Sequence, residues 1–428
     1  MAVARKNVPL LKRLDYLLAK ARRAPFYRKK YKGLPEKITS LQEYALFPPL
    51  EKEELRSKSV HLSEEMLTSP FQGHYVFSAG GTTGSPSYVC YTPEELEKGV
   101  RAQKRCFDHL HLGPEDVVAN CFRAGAFWTG YLVLNRTLEL FPCRILPVTA
   151  NQSIEETLDY LSLFRPNVLI SVPPILAALA EAGERQQREL SFDTVLYAGN
   201  HISHSQQEEI RRIWNNPRIG SAGYAAVETG PIGWQCAHCE GTEHHVLEDW
   251  CYLEREEDGN ALVTVLERFY HPILRARVGD LIEWVEEPCP CGSSAPKFRL
   301  LSRSDDLVRL NFDQFQMSEA EEVFRQFPEL SGIMQLVLEP RGKKLHFLFH
   351  VETKKPLEEK SAAELASALR KKLKDQVPLF SRGWEANGVE ELEVLLERPG
   401  GIERVSRTGK IRRVVDLRIP SESGSQKS

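Results

Sequence analysis

The sequence predicts an α/β protein: a large N-terminal region with mostly parallel sheets and a small β subdomain, then a small α+β C-terminal domain. Three observations carry this reading. Between residues 74 and 235, short apolar runs alternate with helical patterns. Residues 245–300 hold short alternating strands. From residue 304 onward, helices and a hairpin share one compact stretch. Alternation of strand and helix implies a parallel sheet with helices on its faces. Ligands of such sheets bind beyond the C-terminal strand ends.

The elements follow in chain order. Leu10, Leu11, Leu14, Leu17 and Leu18 mark an amphipathic helix, and "APFYRKKY" comes after it. "HYVFSAGG", "DVVANCF", "FPCRILPV", "NVLISVPP" and "TVLYAGN" read as buried strands. "PEELEKGVRAQKRCFDHL", "SIEETLDYLSLF" and "SQQEEIRRIW" read as the helices between them. "NALVTVLE", "ILRARVGD" and "LIEWVEE" supply the β subdomain. Met317, Ala320, Val323, Phe324 and Phe327 share one helical face. "MQLVLEP" and "KLHFLFHVE" flank "RGKK" as a hairpin. Leu365, Leu369 and Leu373 stripe another helix, and "EELEVLLE" is a further strand. The expected divisions are 1–303, 304–418, and a disordered tail at 419–428, where "PSESGSQKS" has no apolar content.

Composition narrows the function classes. The 428 residues are 42% hydrophobic and 27% charged, with a net charge of −3. There is no basic excess for nucleic acid and no polybasic tract for a membrane surface. The longest apolar stretch, "VLISVPPILAALA", is too short to span a bilayer and contains Pro173 and Pro174. "MAVARKNVPLLKRL" lacks the apolar core of a signal peptide. The expected location is the cytoplasm, where nine cysteines argue against a disulfide framework. A homodimer is compatible with the sequence.

Residues 78–86, "SAGGTTGSP", follow a predicted strand. Their glycines permit close backbone approach, and their hydroxyls and N–H groups suit phosphate oxygens. No Gly-Lys-Ser/Thr follows, so this is not a Walker loop. Alone, it reads equally as a structural turn. Four further segments accompany it: "SAGYAAVETGP" at 221–231, "RARVGD" ending at Asp280, "SRSDD" at 302–306 and "SRTGKIRR" at 406–413.

Together these segments resemble the adenylate-forming superfamily of acyl-CoA synthetases and adenylation domains, in its phenylacetate–CoA ligase-like branch. "LAKARRAPFYRKKY", "HHVLED", "CPCG" and "RTGKIRRVVD" are similar to that branch too, from about Leu10 to Asp416. The resemblance implies a large adenylating domain and a mobile C-terminal domain. It implies that ATP and a carboxylate, aromatic by the branch's habit, form an acyl-adenylate whose acyl group passes to a thiol. Ser78, Gly80, Gly81, Thr82, Thr83 and Gly84 would hold the ATP phosphates, with Gly199 beside the nucleotide. Tyr224 would stack on adenine, and Asp280 would accept from the ribose hydroxyls. Arg303 would touch ribose or phosphate, and Asp305 would be the hinge. Glu228 would help bind Mg²⁺, whose hard character suits a carboxylate. Lys410 would bridge the carboxylate and the α-phosphate, offsetting transition-state charge. Phe127, Trp128 and Tyr131 fit an acid pocket or the core.

Several positions depart from the branch. Ser85 replaces a lysine, Val227 a hydroxyl residue, and Asn200 an acid. Phe312 stands at a glycine that borders the pantetheine tunnel. That puts use of free CoA in question. The rival acceptors are a carrier-protein phosphopantetheine or an amine, and the rival to any enzyme is a non-catalytic nucleotide-binding homologue.

Six soft or borderline ligands form a separate group: Cys236, Cys239, His244, His245, Cys289 and Cys291. Structural zinc takes four, tetrahedrally. The resemblance favours Cys236, His245, Cys289 and Cys291, with Cys239 as competitor, in a clamp tying the β subdomain to the main sheet. Reduced, buried cysteines are the plain alternative.

Overall fold

The structure is a computed structural model. It describes residues 2–70, 73–79, 86–125, 127–199, 202, 204–303, 307–309, 314–341, 344–377, 379–380, 389–404 and 411–417. Contacts divide the chain into two compact units, one drawn chiefly from residues up to Leu301 and the other chiefly from Ser302 onward.

The first unit opens with four helices: α1 (Ala2–Ala21), α2 (Pro25–Lys30), α3 (Leu41–Ala45) and α4 (Lys52–Ser57). The leucine stripe of α1 is buried at Leu14, Leu17 and Leu18. Two tyrosines of this region dock on later segments of the chain. Tyr27 Oη donates to Pro272 O at 2.8 Å, and Tyr44 Oη lies 2.6 Å from Thr264 Oγ1. Strands β1 (Tyr75–Ala79) and β2 (Ser87–Tyr91) follow as an antiparallel pair with Ala79 opposite Ser87. "HYVFSAGG" therefore stands outside the parallel sheet. The physical reason is length: a seven-residue connection joins a hairpin, whereas a parallel crossover needs a dozen or more residues.

Helix α5 (Pro93–Gln103) begins at a Thr92 capping box with Glu95. The alternating region then runs β3 (Val117–Asn120), α6 (Gly130–Leu138), β4 (Arg144–Leu146), α7 (Ile154–Phe164), β5 (Val168–Ser171), α8 (Pro173–Arg185), β6 (Thr194–Tyr197), α9 (His204–Ile213) and β7 (Arg218–Ser221). The five strands form one parallel sheet in the order β4-β3-β5-β6-β7. Every residue of β5 is buried, as a strand covered on both faces requires. Pro173 and Pro174 do not merely break an apolar run. They occupy the first turn of α8, where a missing N–H costs nothing.

The remaining strands of this unit are β8 (Tyr224–Ala226), β9 (Gly230–Trp234), β10 (Glu243–Val246), β11 (Cys251–Arg255), β12 (Asn260–Val265), β13 (Ala276–Val285) and β14 (Lys297–Arg303). They make a seven-stranded sheet in the order β11-β12-β13-β14-β10-β9-β8. It is larger than the expected subdomain because it annexes residues 224–246. Among the described residues, no helix is long and apolar enough to cross a membrane.

In the second unit, β15 (Leu307–Arg309) pairs with β16 (Gln314–Gln316). Helix α10 (Met317–Phe324) follows, then β17 (Leu330–Arg341), β18 (Lys344–Thr353), α11 (Glu359–Gln376), β19 (Val389–Glu397) and β20 (Val414–Asp416). The sheet order is β19-β18-β17-β20, with an antiparallel centre and two parallel flanks. Its core joins Met317, Val323 and Phe324 to Phe347, Phe349, Leu369 and Leu373.

Candidate active site and metal centre

The order of the parallel sheet reverses at β3, so the crevice lies outside the C-terminal strand ends. Gly199 follows the C-terminal end of β6 with φ of +81°, a conformation glycine adopts without strain. Ser78, at the end of β1, is buried, and its N–H donates to Phe127 O at 2.9 Å. Phe127 holds φ of +61° and is exposed, so it is not core. Tyr131 packs partly against the core and donates from Oη to Pro147 O at 2.9 Å.

The segment after β7 holds the tyrosine motif. Gly223, at φ of +118°, is a position only glycine fits: a Cβ would stand 2.7 Å from Cys106 Sγ and 2.9 Å from Gln103 Nε2. That close approach aims Tyr224 across the sheet. Its hydroxyl donates to Asp280 Oδ2 at 2.6 Å, and its ring meets Phe298 edge-on at 5.9 Å. The structure thus brings two of the expected nucleotide contacts into one hydrogen-bonded pair.

Glu228 is half-buried, and among the described residues its carboxylate makes no hydrogen bond or ion pair. The turn that carries it is held instead by its backbone. Tyr91 Oη donates to Val227 O at 2.9 Å, Arg268 Nη1 donates to Glu228 O, and Trp250 Nε1 donates to Thr229 O at 2.8 Å. Three consecutive carbonyls are each taken by a buried side chain. Burial raises the Tyr91 phenol to about 12, against the opposing Arg268 charge, so it stays a donor. Arg268, Tyr91 and Trp250 escaped sequence reasoning because side-chain bonds to backbone follow no motif.

The metal cluster lies on the same antiparallel sheet. One ligand atom each from Cys236, His245, Cys289 and Cys291 lies within 4.8 Å of all the others. Cys236 follows β9, His245 sits in β10, and Cys289 and Cys291 lie between β13 and β14. The cluster therefore staples strands of one sheet; it does not tie that sheet to the parallel one, because β9 and β10 joined the antiparallel layer. Cys236 Sγ is 3.5 Å from Cys289 Sγ, and Cys291 Sγ is 3.5 Å from His245 Nε2. A tetrahedron with Zn–S bonds has edges of roughly 3.7 Å, so the donor set fits the ion. The Ala295 carbonyl lies 3.2 Å from His245 Nδ1, which suits an Nδ1–H and leaves Nε2 as ligand. Cys239 Sγ is 3.5 Å from Cys236 Sγ and accepts from Cys236 N at 3.5 Å, but it stands outside the four-atom cluster. His244 turns the other way. It lies 2.9 Å from Thr242 O and 3.2 Å from Ser221 Oγ, and burial holds it near pKa 4. Burial pushes the Cys289 thiol up, but the Cys291 N–H and the neighbouring thiols outweigh it, so the net shift is downward.

Arg303 is placed only by its backbone, at the end of β14. Gly80, Gly81, Thr82, Thr83, Gly84, Asp305, Phe312 and Lys410 lie outside the described residues.

The fold is that of the adenylate-forming enzymes. It superposes on a 2-hydroxyisobutyryl-CoA ligase in the postadenylation state with a TM-score of 0.76, at 20% identity, over 97% of this chain and 90% of that one. Residues 28–251, just over half of the chain, match the model of the AMP-binding enzyme family, and the chain belongs to that family. It is 25% identical to a phenylacetate-coenzyme A ligase of Thermus thermophilus over 92% of this chain and 93% of the relative. It is 24% identical to the phenylacetate-coenzyme A ligase of Escherichia coli K12 over 92% and 90%.

Proposed function

We propose that this protein is an AMP-forming acid–thiol ligase. A carboxylate oxygen attacks the α-phosphorus of ATP, pyrophosphate leaves, and an acyl-adenylate forms. A thiolate then attacks the acyl carbon and AMP leaves. The observation that carries the nucleotide half is the Tyr224–Asp280 pair, together with a half-buried Glu228 whose carboxylate has no partner among the described residues. Relatives along nearly the whole chain named as CoA ligases support CoA as the acceptor and an arylacetic acid as the substrate.

In this reading Tyr224 stacks on adenine and Asp280 accepts from the ribose hydroxyls. Gly199 borders the nucleotide, and Ser78 anchors the glycine-threonine loop whose Gly80, Gly81, Thr82, Thr83 and Gly84 receive phosphate oxygens. Arg303 contacts ribose or phosphate, Asp305 is the hinge, and Lys410 bridges carboxylate and α-phosphate. Positioning and electrostatics supply the rate, with no covalent enzyme intermediate. Glu228 is the residue that would hold Mg²⁺, which would neutralise phosphate charge. Zinc held by Cys236, His245, Cys289 and Cys291 would be structural, because four protein ligands leave no open position. A thiolate cluster of this kind suits a reducing compartment such as the cytoplasm.

The test is carboxylate-dependent exchange of labelled pyrophosphate into ATP over a panel of aryl and alkyl acids, followed by thioester formation with CoA. Exchange with at least one acid is expected, and none across the panel would sink the reading. Phe312 is the specific reason to run a phosphopantetheinylated carrier protein beside CoA. Faster loading of the carrier would move the acceptor to that class.

A further inference from the structure

The turn that bears Glu228 is held by a cation that the protein keeps at a cost. Arg268 is fully buried. Its Nη1 donates to Glu228 O and its Nη2 donates to Cys90 O at 2.7 Å. The guanidinium carbon lies 3.8 Å from the centre of the Tyr91 ring. Among the described residues Nε has no hydrogen-bond partner and Arg268 forms no ion pair. The neighbouring acid, Glu95, is spent elsewhere: Oε1 accepts from Phe269 N and Tyr270 N, and Oε2 from Thr92 N.

Packing alone does not call for this arrangement. An apolar side chain of similar volume fills such a site without burying a charge, and a buried guanidinium with no carboxylate partner is destabilising. What an apolar residue cannot supply is a rigid fork. One prong of Arg268 holds β2, the second strand of the β1–β2 hairpin. The other holds the carbonyl of Glu228. Tyr91, the next residue of β2, lies under the guanidinium and binds the adjoining Val227 carbonyl. Hairpin and turn thus become one frame.

We propose that Arg268 is a positioning residue that sets Glu228 against the β1–β2 hairpin, and so sets the site that receives the phosphates and metal of MgATP. The proposal rests on the nucleotide reading given above, and it assigns the fork a role in MgATP capture and none in holding the acid.

The experiment compares wild type with Arg268→Met and Arg268→Lys. Calorimetry reads the Kd for MgATP, pyrophosphate exchange reads KM for MgATP and for the acid, and thermal melting reads the fold. Arg268→Met is expected to weaken MgATP tenfold or more and to change the acid KM less than twofold. Arg268→Lys, which keeps the charge but loses the fork, is expected to recover part of the loss. If Arg268→Met does not fold, the lysine variant alone carries the test, with a threefold or greater loss of MgATP affinity expected. Unchanged MgATP affinity in a folded variant overturns the proposal, as do equal rises in both KM values. Wild type that binds MgATP but exchanges no pyrophosphate would end the catalytic reading while leaving the binding comparison in force. Wild type that does not bind MgATP would end both.

Discussion

The hydroxyl of Tyr224 donates to Asp280 Oδ2 at 2.6 Å, joining β8 to β13 within one antiparallel sheet. The bond leaves the tyrosine ring edge-on to Phe298 and fixes the carboxylate on the same side. Hydrogen bonds to charged groups contribute about 1.5–3 kcal/mol. Asp280→Asn is therefore expected to raise KM for ATP by roughly 10- to 150-fold, by that same figure. With 2′-deoxy-ATP the penalty should shrink, because one ribose donor is already gone. An equal penalty with both nucleotides would remove Asp280 from the ribose. Tyr224→Phe keeps the ring and should cost less than Asp280→Asn.

Glu228 presents a carboxylate with no protein partner among the described residues, on a turn whose three carbonyls are pinned. Glu228→Gln keeps the shape and removes the charge that a hard cation seeks. The variant should need a severalfold higher Mg²⁺ concentration for half-maximal exchange at fixed ATP. A Mg²⁺ titration that overlays wild type would show that the metal is held elsewhere.

Lys410 is assigned by resemblance alone. Removing one preorganised transition-state donor costs about 10²–10³ in rate. Lys410→Ala should lower exchange by that order while leaving the melting temperature within a degree or two. Exchange at the wild-type rate would put the bridging cation at another residue.

What could be read from the chain was set by periodicity and by side-chain chemistry close in sequence. The α1 stripe, the β5 run, the β17–β18 hairpin and the Leu369–Leu373 face follow from spacing alone, because burial imposes the helical or strand period. The four-residue metal set came from the family resemblance, and its side chains meet in the structure. Long-range layer membership was not legible. Nothing in "HYVFSAGG" says that it pairs with the strand seven residues on, and nothing in "EHHV" says that β10 extends the antiparallel sheet. Helices α6 and α8 were not among the predicted helices; the Pro173–Pro174 pair, which interrupts an apolar run in the sequence, lies in the first turn of α8. Arg268 was invisible for a similar reason. In "LERFYHPIL" it is one charge among several, and only the fold shows that it ends against two carbonyls and a ring.

The metal cluster makes a prediction that separates its cysteines. Protein purified without chelator should carry about one zinc per chain, bound by the four residues that meet within 4.8 Å. Cys291→Ser should lose the metal and Cys239→Ser should keep it. Metal binding adds to folding free energy, and each kcal/mol is worth roughly 2–4 °C for domains of this order. Stripping the zinc should therefore lower the melting temperature by at least about 4 °C, given a loss of ~2 kcal/mol or more. Absence of zinc by elemental analysis would leave four reduced thiol and imidazole groups packed without an ion.

Buried His271 ties stability to pH. Its Nδ1 accepts from Cys90 N at 3.1 Å, so that nitrogen must be unprotonated, while Nε2 has no hydrogen-bond partner among the described residues. Burial lowers its pKa first, and the nearby cation Arg268 and then His74 lower it further, to well below the ordinary value. In the unfolded chain the same imidazole titrates near ~6.5. Above that pH neither state binds the proton, and the full contribution of the neutral ring is present. As pH falls below ~6.5 the unfolded chain takes up a proton that the fold refuses. Stability then declines by up to about 1.4 kcal/mol per pH unit until the folded ring itself titrates. His109, held near pKa 4 by burial and then Arg218, adds a similar slope of its own. His271→Asn keeps an oxygen to accept from Cys90 N and cannot titrate. Denaturant unfolding between about pH 7 and pH 5 should show a shallower decline in the variant, by close to one proton. Equal slopes in wild type and His271→Asn would place the acid sensitivity in the other histidines and show that the folded His271 takes up its proton as readily as the unfolded chain does.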